Sequence, residues 1–144
     1  MNYKVEKEWI TKSGLKAVVL LVHPSMPHRC GYVGIPKEHK FYGIDYSNIE
    51  SDIYVHGGLT YSNNDEAYPI KSDLWWLGFD AAHAGDTNDW EAGKILIETK
   101  KEQEQVDSIK SVIGRYPTPG DIIKTLDYMV KECEDLANQL KENK

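Results

Sequence analysis

One run of residues constrains this chain more than any other: Leu15-Lys16-Ala17-Val18-Val19-Leu20-Leu21-Val22. It is partly β-branched, offers no polar helical face and stops at His23-Pro24. That combination predicts a central strand rather than a helix. A central strand needs neighbours on both edges and cover on its faces.

The cover is predicted at the other end of the chain. Thr118-Pro119-Gly120-Asp121 supplies an N-cap, a proline at the first helical position and an acid at the third. Beyond it Ile122, Leu126, Met129, Val130, Cys133, Leu136, Ala137 and Leu140 recur on one face. Lys124, Asp127, Lys131, Glu132, Glu134, Asp135 and Lys141 take the other. The pattern predicts a helix over roughly 119–141 whose stripe covers one side of the sheet. The spacing is also heptad-like, so a homodimer seam stays open as the alternative.

Between these two anchors the pattern is less regular. Tyr3, Val5 and Trp9 suggest an edge strand, and residues 29–35 a second strand ended by Pro36. Residues 36–50 read as a polar excursion, with 40–46 docking as a turn, rings inward. Residues 52–56 alternate like a strand, Gly57-Gly58 bulges it, and 59–61 continues it. Residues 74–79 form an aromatic strand, 84–93 a loop and 94–97 a short extra strand. Val106, Ile109, Val112 and Ile113 mark an amphipathic helix over 99–113, stopped at Tyr116-Pro117. The expected fold is α+β: a single domain over 1–144 with an antiparallel or mixed sheet of about five to seven strands. The site-bearing sheet spans about 15–98 and the helical C-terminal part about 100–141, ending in the long amphipathic helix.

Charge narrows the partners. With 17 Lys and Arg against 23 Asp and Glu, the net charge of −6 argues against an extended nucleic-acid surface or a membrane surface. No apolar run reaches the roughly 18 residues of a membrane span, and no signal-peptide core precedes Trp9. A cytoplasmic location is the expectation. Cys30 and Cys133 fit reduced thiols there.

Eleven of the 15 aromatic residues lie between Tyr32 and Trp90. In His56-Gly57-Gly58-Leu59-Thr60-Tyr61 and in Trp75-Trp76-Leu77-Gly78-Phe79-Asp80-Ala81-Ala82-His83-Ala84-Gly85-Asp86 they mix with glycines, histidines and aspartates. Neither a packed core nor a solvent loop needs that mixture. It predicts one site wall built from two strand ends.

Several chemistries fit the ingredients. His23, His28, Cys30, His56, Asp80, His83 and Asp86 are metal-ligating types, but none falls in an established ligand spacing. His56, Asp80 and His83 brought together would suit metal-assisted hydrolysis; structural hydrogen bonds are the plainer role for each histidine. Cys30 follows Arg29, which would lower a thiol pKa, and His56 or His83 could act as its base; a buried, inert thiol is the alternative. Asp80 and Asp86, beside aromatic rings, could do acid–base work, or Asp86 could cap a turn. There is no P-loop and no dinucleotide fingerprint. For a phosphorylated ligand, Gly57-Gly58 would offer backbone N–H groups and Arg29 and Arg115, the only two arginines, a clamp. Tyr61, Trp75, Trp76, Phe79 and Trp90 offer stacking faces, and Asn88 a reader of a base edge. Trp75 and Trp76, adjacent in a strand, must face opposite sides, so at least one is structural.

The two motif segments, with His28-Arg29-Cys30-Gly31-Tyr32-Val33-Gly34-Ile35-Pro36, Tyr42-Gly43-Ile44-Asp45-Tyr46 and the closing stretch from Tyr128 to Leu140, resemble a family of uncharacterised bacteriophage and prophage proteins. The likeness covers roughly 28–140. Many members of the family it resembles carry Cys where this chain has Ala81, so the resemblance implies no catalytic or ligating role at that position here. The resemblance implies a small phage accessory protein, of a kind that acts on host defence, in some cases by sequestering nucleotide signals.

The expected function is therefore non-catalytic binding of a small polar, nucleotide-like phosphorylated ligand. Its site would draw on Arg29, His56, Thr60, Tyr61, Trp76, Phe79, Asp80, His83, Asp86, Asn88 and Arg115. No cofactor is expected; a divalent metal belongs only to the alternative, a hydrolase using His56, Asp80, His83 and Asp86. A structural or host-protein interaction module is the third reading. A homodimer or higher homo-oligomer is open in each.

Overall fold

The apolar run forms β2 (Lys16–Val22), and it lacks a polar side because both of its faces are buried. Ala17 and Val19 join one core cluster, Val18 and Leu20 a second. Around it stand β1 (Tyr3–Ile10), β3 (His28–Ile35), β4 (Tyr61–Asn63) and β5 (Trp75–Asp80), in the order β1-β2-β3-β5-β4 with every neighbour antiparallel. The computed structural model describes residues 3–82, 86–113 and 122–143. They form the expected single α+β domain, and among them no helix is long and apolar enough to cross a membrane.

The C-terminal helix, α3 (Leu126–Glu142), packs across β3 and β2. Its stripe of Met129, Cys133, Leu136, Ala137 and Leu140 is fully buried against Val19, Val33, Leu77 and Phe79. Each large aliphatic residue in that stripe contributes ~1.5–3 kcal/mol by leaving water. The stripe is thus used within one chain, which overturns its reading as a homodimer seam. The opposite sheet face has its own cover: Tyr68, Ile70 and Leu74 from the β4–β5 connection lie over Val18, Leu20, Tyr32 and Trp76. Trp75 faces the helix side and Trp76 this second cluster, as strand alternation requires.

Two glycines make this layering possible. A Cβ on Gly31 would stand 2.5 Å from Phe79 Cζ and 2.9 Å from Cys133 Sγ. A Cβ on Gly78 would stand 2.6 Å from the Tyr32 ring. Both positions let a large ring lie flat on the sheet.

Three expectations need correction. First, α3 starts at Leu126, not near 119, with Thr125 as its cap accepting from the Tyr128 N–H. Ile122, in phase with the stripe, instead lies in β7 (Ile122–Ile123), which pairs in parallel with β6 (Asp86–Thr87). The proposed cap at Thr118 lies outside the described residues. Second, residues 52–56 alternate but do not join the sheet. Ile53 and Val55 pack on the α3 cluster while Tyr54 is 75% exposed. Their backbone is held by helix side chains: Gln139 Oε1 accepts from the Tyr54 N–H and Gln139 Nε2 donates to the Tyr54 carbonyl, each at 2.7 Å. Third, 94–97 is a single 3₁₀ turn, Lys94–Leu96, following a short helix α1 (Trp90–Gly93) capped by Asp89. The helix expected at 99–113 is α2 (Lys100–Ile113); Val106 is buried but Val112 is 55% exposed, so its buried stripe is narrow.

Gly31→Ala is expected to lower unfolding free energy by about 1–3 kcal/mol, the usual cost of an overpacked core. Urea unfolding measures it; a loss within error would show that Phe79 and Cys133 retreat freely.

Candidate functional site

The two motif segments do meet: Tyr61 pairs with Gly78 where β4 joins β5, Thr60 bonds Asp80, and beyond the sheet His56 bonds Asp86. His56 precedes Gly57 and Gly58, both in the left-handed region at φ 70° and 81°, which turn the chain toward β4. The His56 N–H donates to Glu132 Oε1 on α3 at 2.8 Å. The ring then lies between Asp86 Oδ2, 2.9 Å from Nε2, and the Tyr128 hydroxyl, 2.8 Å from Nδ1. A carboxylate only accepts, so in the neutral ring Nε2 carries the proton and Nδ1 accepts from the Tyr128 O–H. Lys124 completes the cluster, with Nζ 3.4 Å from Asp86 Oδ1 and 5.6 Å from the centre of the Tyr128 ring. The Asp86 side chain is 3% exposed, the least exposed of the ionised groups here. Burial, with the charges of Glu132 and Asp86, raises the Tyr128 pKa, so the phenol keeps its proton at neutral pH.

Two cavities open near the end of β5, and the first shares Asp86 with this cluster. One, of about 260 Å³, opens between His23, Met26 and His28 around the β2–β3 turn and, on the other side, Ala81 and Ala82 after β5 with Asp86, Thr87 and Asn88 in and after β6. In it the Met26 main chain fixes both imidazoles. Its N–H donates to His23 Nδ1 at 3.1 Å, and its carbonyl accepts from His28 Nδ1 at 2.9 Å. In their neutral forms His23 therefore carries its proton on Nε2 and His28 on Nδ1. Neither Nε2 meets a hydrogen-bonding partner among the described residues. The other cavity, of about 200 Å³, lies on the second face of the sheet among Cys30, Tyr32, Thr60, Tyr61, Phe79 and Asp80. There Asp80 stands directly across from Cys30 in the β3–β5 register and accepts from Thr60 Oγ1 at 3.3 Å and the Ala82 N–H at 3.2 Å. Tyr32 and Tyr61 meet edge to face with ring centres 5.4 Å apart, and Tyr32 shares a hydrogen bond with the Tyr68 hydroxyl.

The structure reassigns three of the expected ligand contacts. Arg29 is not a phosphate clamp. It is 6% exposed, and its guanidinium is spent inside the protein: Nε to Glu6 at 2.6 Å, Nη1 to Asp89 at 2.7 Å and to the Lys124 carbonyl at 3.1 Å, Nη2 to Glu6 at 3.3 Å. Burial opposes its charge, but Glu6 and Asp89 outweigh that and raise its pKa. Trp76 and Phe79 are 0% and 1% exposed and present no ring face to a ligand. Of the rest, Thr60, Tyr61 and Asp80 share one cavity, while Asp86 and Asn88 share the other. His83 and Arg115 lie outside the described residues.

The sequence does not mark Tyr128, Glu132 or Lys124 as site residues, and it offers His23 and His28 only as metal-ligating types. Tyr128, Glu132, Gln139 and Asn143 recur on one flank of α3, and each bonds the 51–56 segment. That second, polar stripe was the available signal. Among the described residues no group of three or more His, Cys, Asp or Glu side chains is arranged to hold a metal ion. Cys30 is not an activated thiol: burial, then the charge of Asp80, pushes it up to about 12. A scan against protein-family models finds no match, and searches of curated proteins and of solved structures find none either.

Two outcomes are expected. Arg29→Met should cost about 2–4 kcal/mol of stability by chemical denaturation, because it strands two largely but not fully buried carboxylates. Stability should also fall as pH rises from 9 toward 12. Burial pushes the Cys133 thiol, like Cys30, to about 12, so over that window the unfolded chain loses protons that the folded chain keeps. Well below the ordinary thiol pKa of 9 both states hold them and this contribution is flat. Unfolding curves in that range should lose part of their alkaline slope when Cys30 and Cys133 are both changed to Ala.

Proposed function

We propose that this protein binds a small, flat, polar ligand of nucleobase or amide type in the cleft between the β2–β3 turn and residues 81–82 and 86–88. The carrying observation is the opposed hydrogen-bonding polarity of two neighbouring imidazoles. His23 offers an Nε2–H donor and His28 an Nε2 lone pair, with ring centres 6.3 Å apart. Ligands with adjacent donor and acceptor atoms on one edge complement such a pair. The amide of Asn88 carries the same two functions in one side chain, and Ala81, Ala82 and Met26 supply apolar surface for a ring. At about 260 Å³ the cleft suits a base rather than a whole nucleotide.

The chemistry departs from a phosphorylated ligand in one respect. Arg29 is committed to Glu6 and Asp89, so the described part of the cleft brings no arginine to a phosphate. The ligand proposed is accordingly uncharged at its recognised edge, and the protein holds it without altering it. An accessory, sequestering role for this binding belongs to the same proposal, as the resemblance of the motif segments to phage and prophage proteins implies.

The test is NMR titration with free adenine, guanine, cytosine, uracil and, separately, inorganic phosphate. At least one base should move the resonances of His23, His28, Thr87 and Asn88 saturably. His28→Ala or Asn88→Ala should weaken that binding by roughly 3–10-fold, the worth of about one hydrogen bond. Silence toward every base, or a response to phosphate alone, refutes the proposal.

A further inference from the structure

The geometry points to Tyr128 as a nucleophile, with His56 as its general base and Asp86 as the residue that positions His56. The hydroxyl of Tyr128 lies 2.8 Å from His56 Nδ1, and the opposite ring nitrogen lies 2.9 Å from Asp86 Oδ2. Those two bonds fix the tautomer: Nε2–H donates to Asp86, and the Nδ1 lone pair is aimed at the phenol proton. This is the hydroxyl–imidazole–carboxylate order that activates serine in hydrolases, with a phenol in place of the serine.

Two further contacts hold it in register. The His56 N–H is bonded to Glu132, one helical turn beyond Tyr128, so base and nucleophile are fixed to the same flank of α3. The His56 and Tyr128 rings meet at 90° with centres 5.4 Å apart. Tyr128 is 37% exposed, open enough for an electrophile to reach the oxygen. Lys124 places a cation 5.6 Å from the ring centre, where it favours negative charge growing on the phenol.

The substrate class is an electrophile that releases an anionic leaving group from an acyl, phosphoryl or sulfonyl centre. The phenol oxygen forms a bond to that centre, the bond to the leaving group breaks with its electron pair, and the phenol proton passes to His56 Nδ1. Asp86 then faces an imidazolium, which it stabilises without taking the proton. The inference does not require the ligand proposed for the cleft: neither Tyr128 nor His56 lines it, and Asp86 is the one residue the two sites share.

Benzenesulfonyl fluoride tests it on the whole protein. The phenol oxygen displaces fluoride from sulfur, and the adduct is located by peptide mass spectrometry. Tyr54 is the internal control, because it is 75% exposed, twice as open as Tyr128, and meets no imidazole among the described residues. Activation predicts that Tyr128 is labelled faster than Tyr54 in the unaltered protein. His56→Gln keeps an acceptor for the phenol but removes the base, and should slow Tyr128 labelling about 10²-fold relative to Tyr54 in the same sample. Asp86→Asn should slow it by a smaller factor, again with Tyr54 unchanged. Labelling of Tyr128 no faster than Tyr54, or equally fast in His56→Gln, overturns the inference.

Discussion

The guanidinium of Arg29 is the contact on which the arrangement of the rest depends. It rises from β3 and ties three other pieces of chain to it: Glu6 on β1, Asp89 at the cap of α1, and the Lys124 carbonyl just before α3. Asp89 is itself fully used. Its N–H donates to the Pro27 carbonyl, Oδ1 accepts from Ala92 and Oδ2 from Arg29. A lysine could not replace this fork, because one ammonium cannot present planar paired donors in two directions. Buried ion pairs add little net stability, since desolvation offsets their attraction. Their effect here is placement. Asp86 lies three residues before Asp89, and Lys124 gives its carbonyl to Arg29 and its ammonium to Asp86. The cluster around His56 therefore inherits its geometry from a knot that contains none of its own reactive atoms.

What could be read from the sequence was whatever a single periodicity decides. The two-sided burial of β2, the strands at 28–35 and 75–80, the helix at 100–113 and the stripe of α3 all follow from which residues must leave water. The misses share one cause: periodicity says which side of a segment faces in, not what its backbone pairs with. Residues 52–56 alternate because Ile53 and Val55 pack inward, yet the amide of Gln139 takes the place of a partner strand. Ile122 is in phase with the α3 stripe, yet its backbone pairs with Asp86.

The site was legible to the same degree. Mixed aromatic and polar composition singled out two segments, and these do meet at His56 and Asp86. It could not rank competitors for a charged group. Arg29 suits a phosphate as well as it suits a carboxylate, and its carboxylates lie 23 and 60 residues away in sequence. Nor did it mark Tyr128, which stands on the polar flank of a helix where an exposed tyrosine is unremarked. Only the run Tyr128, Glu132, Gln139 and Asn143 shows that this flank grips a second segment.

Histidine shows most directly how the surroundings, not the residue, set the role. At His39 a carbonyl and an N–H take the two ring nitrogens, and the side chain is a buried strut. At His23 and His28 one peptide neighbour consumes only the Nδ1 atoms, and with opposite polarity, so the remaining nitrogens differ in kind. At His56 a carboxylate and a phenol take both nitrogens, which leaves a proton path rather than a binding edge. Asp86 belongs to two of these settings. It lines the cleft beside His23 and His28, its side chain holds His56, and its backbone is paired with β7 two residues before Lys124. Any displacement of β6 by a molecule in the cleft would move the carboxylate that orients the base. The cleft and the Tyr128–His56 pair, though lined by different residues, are thus joined through one side chain.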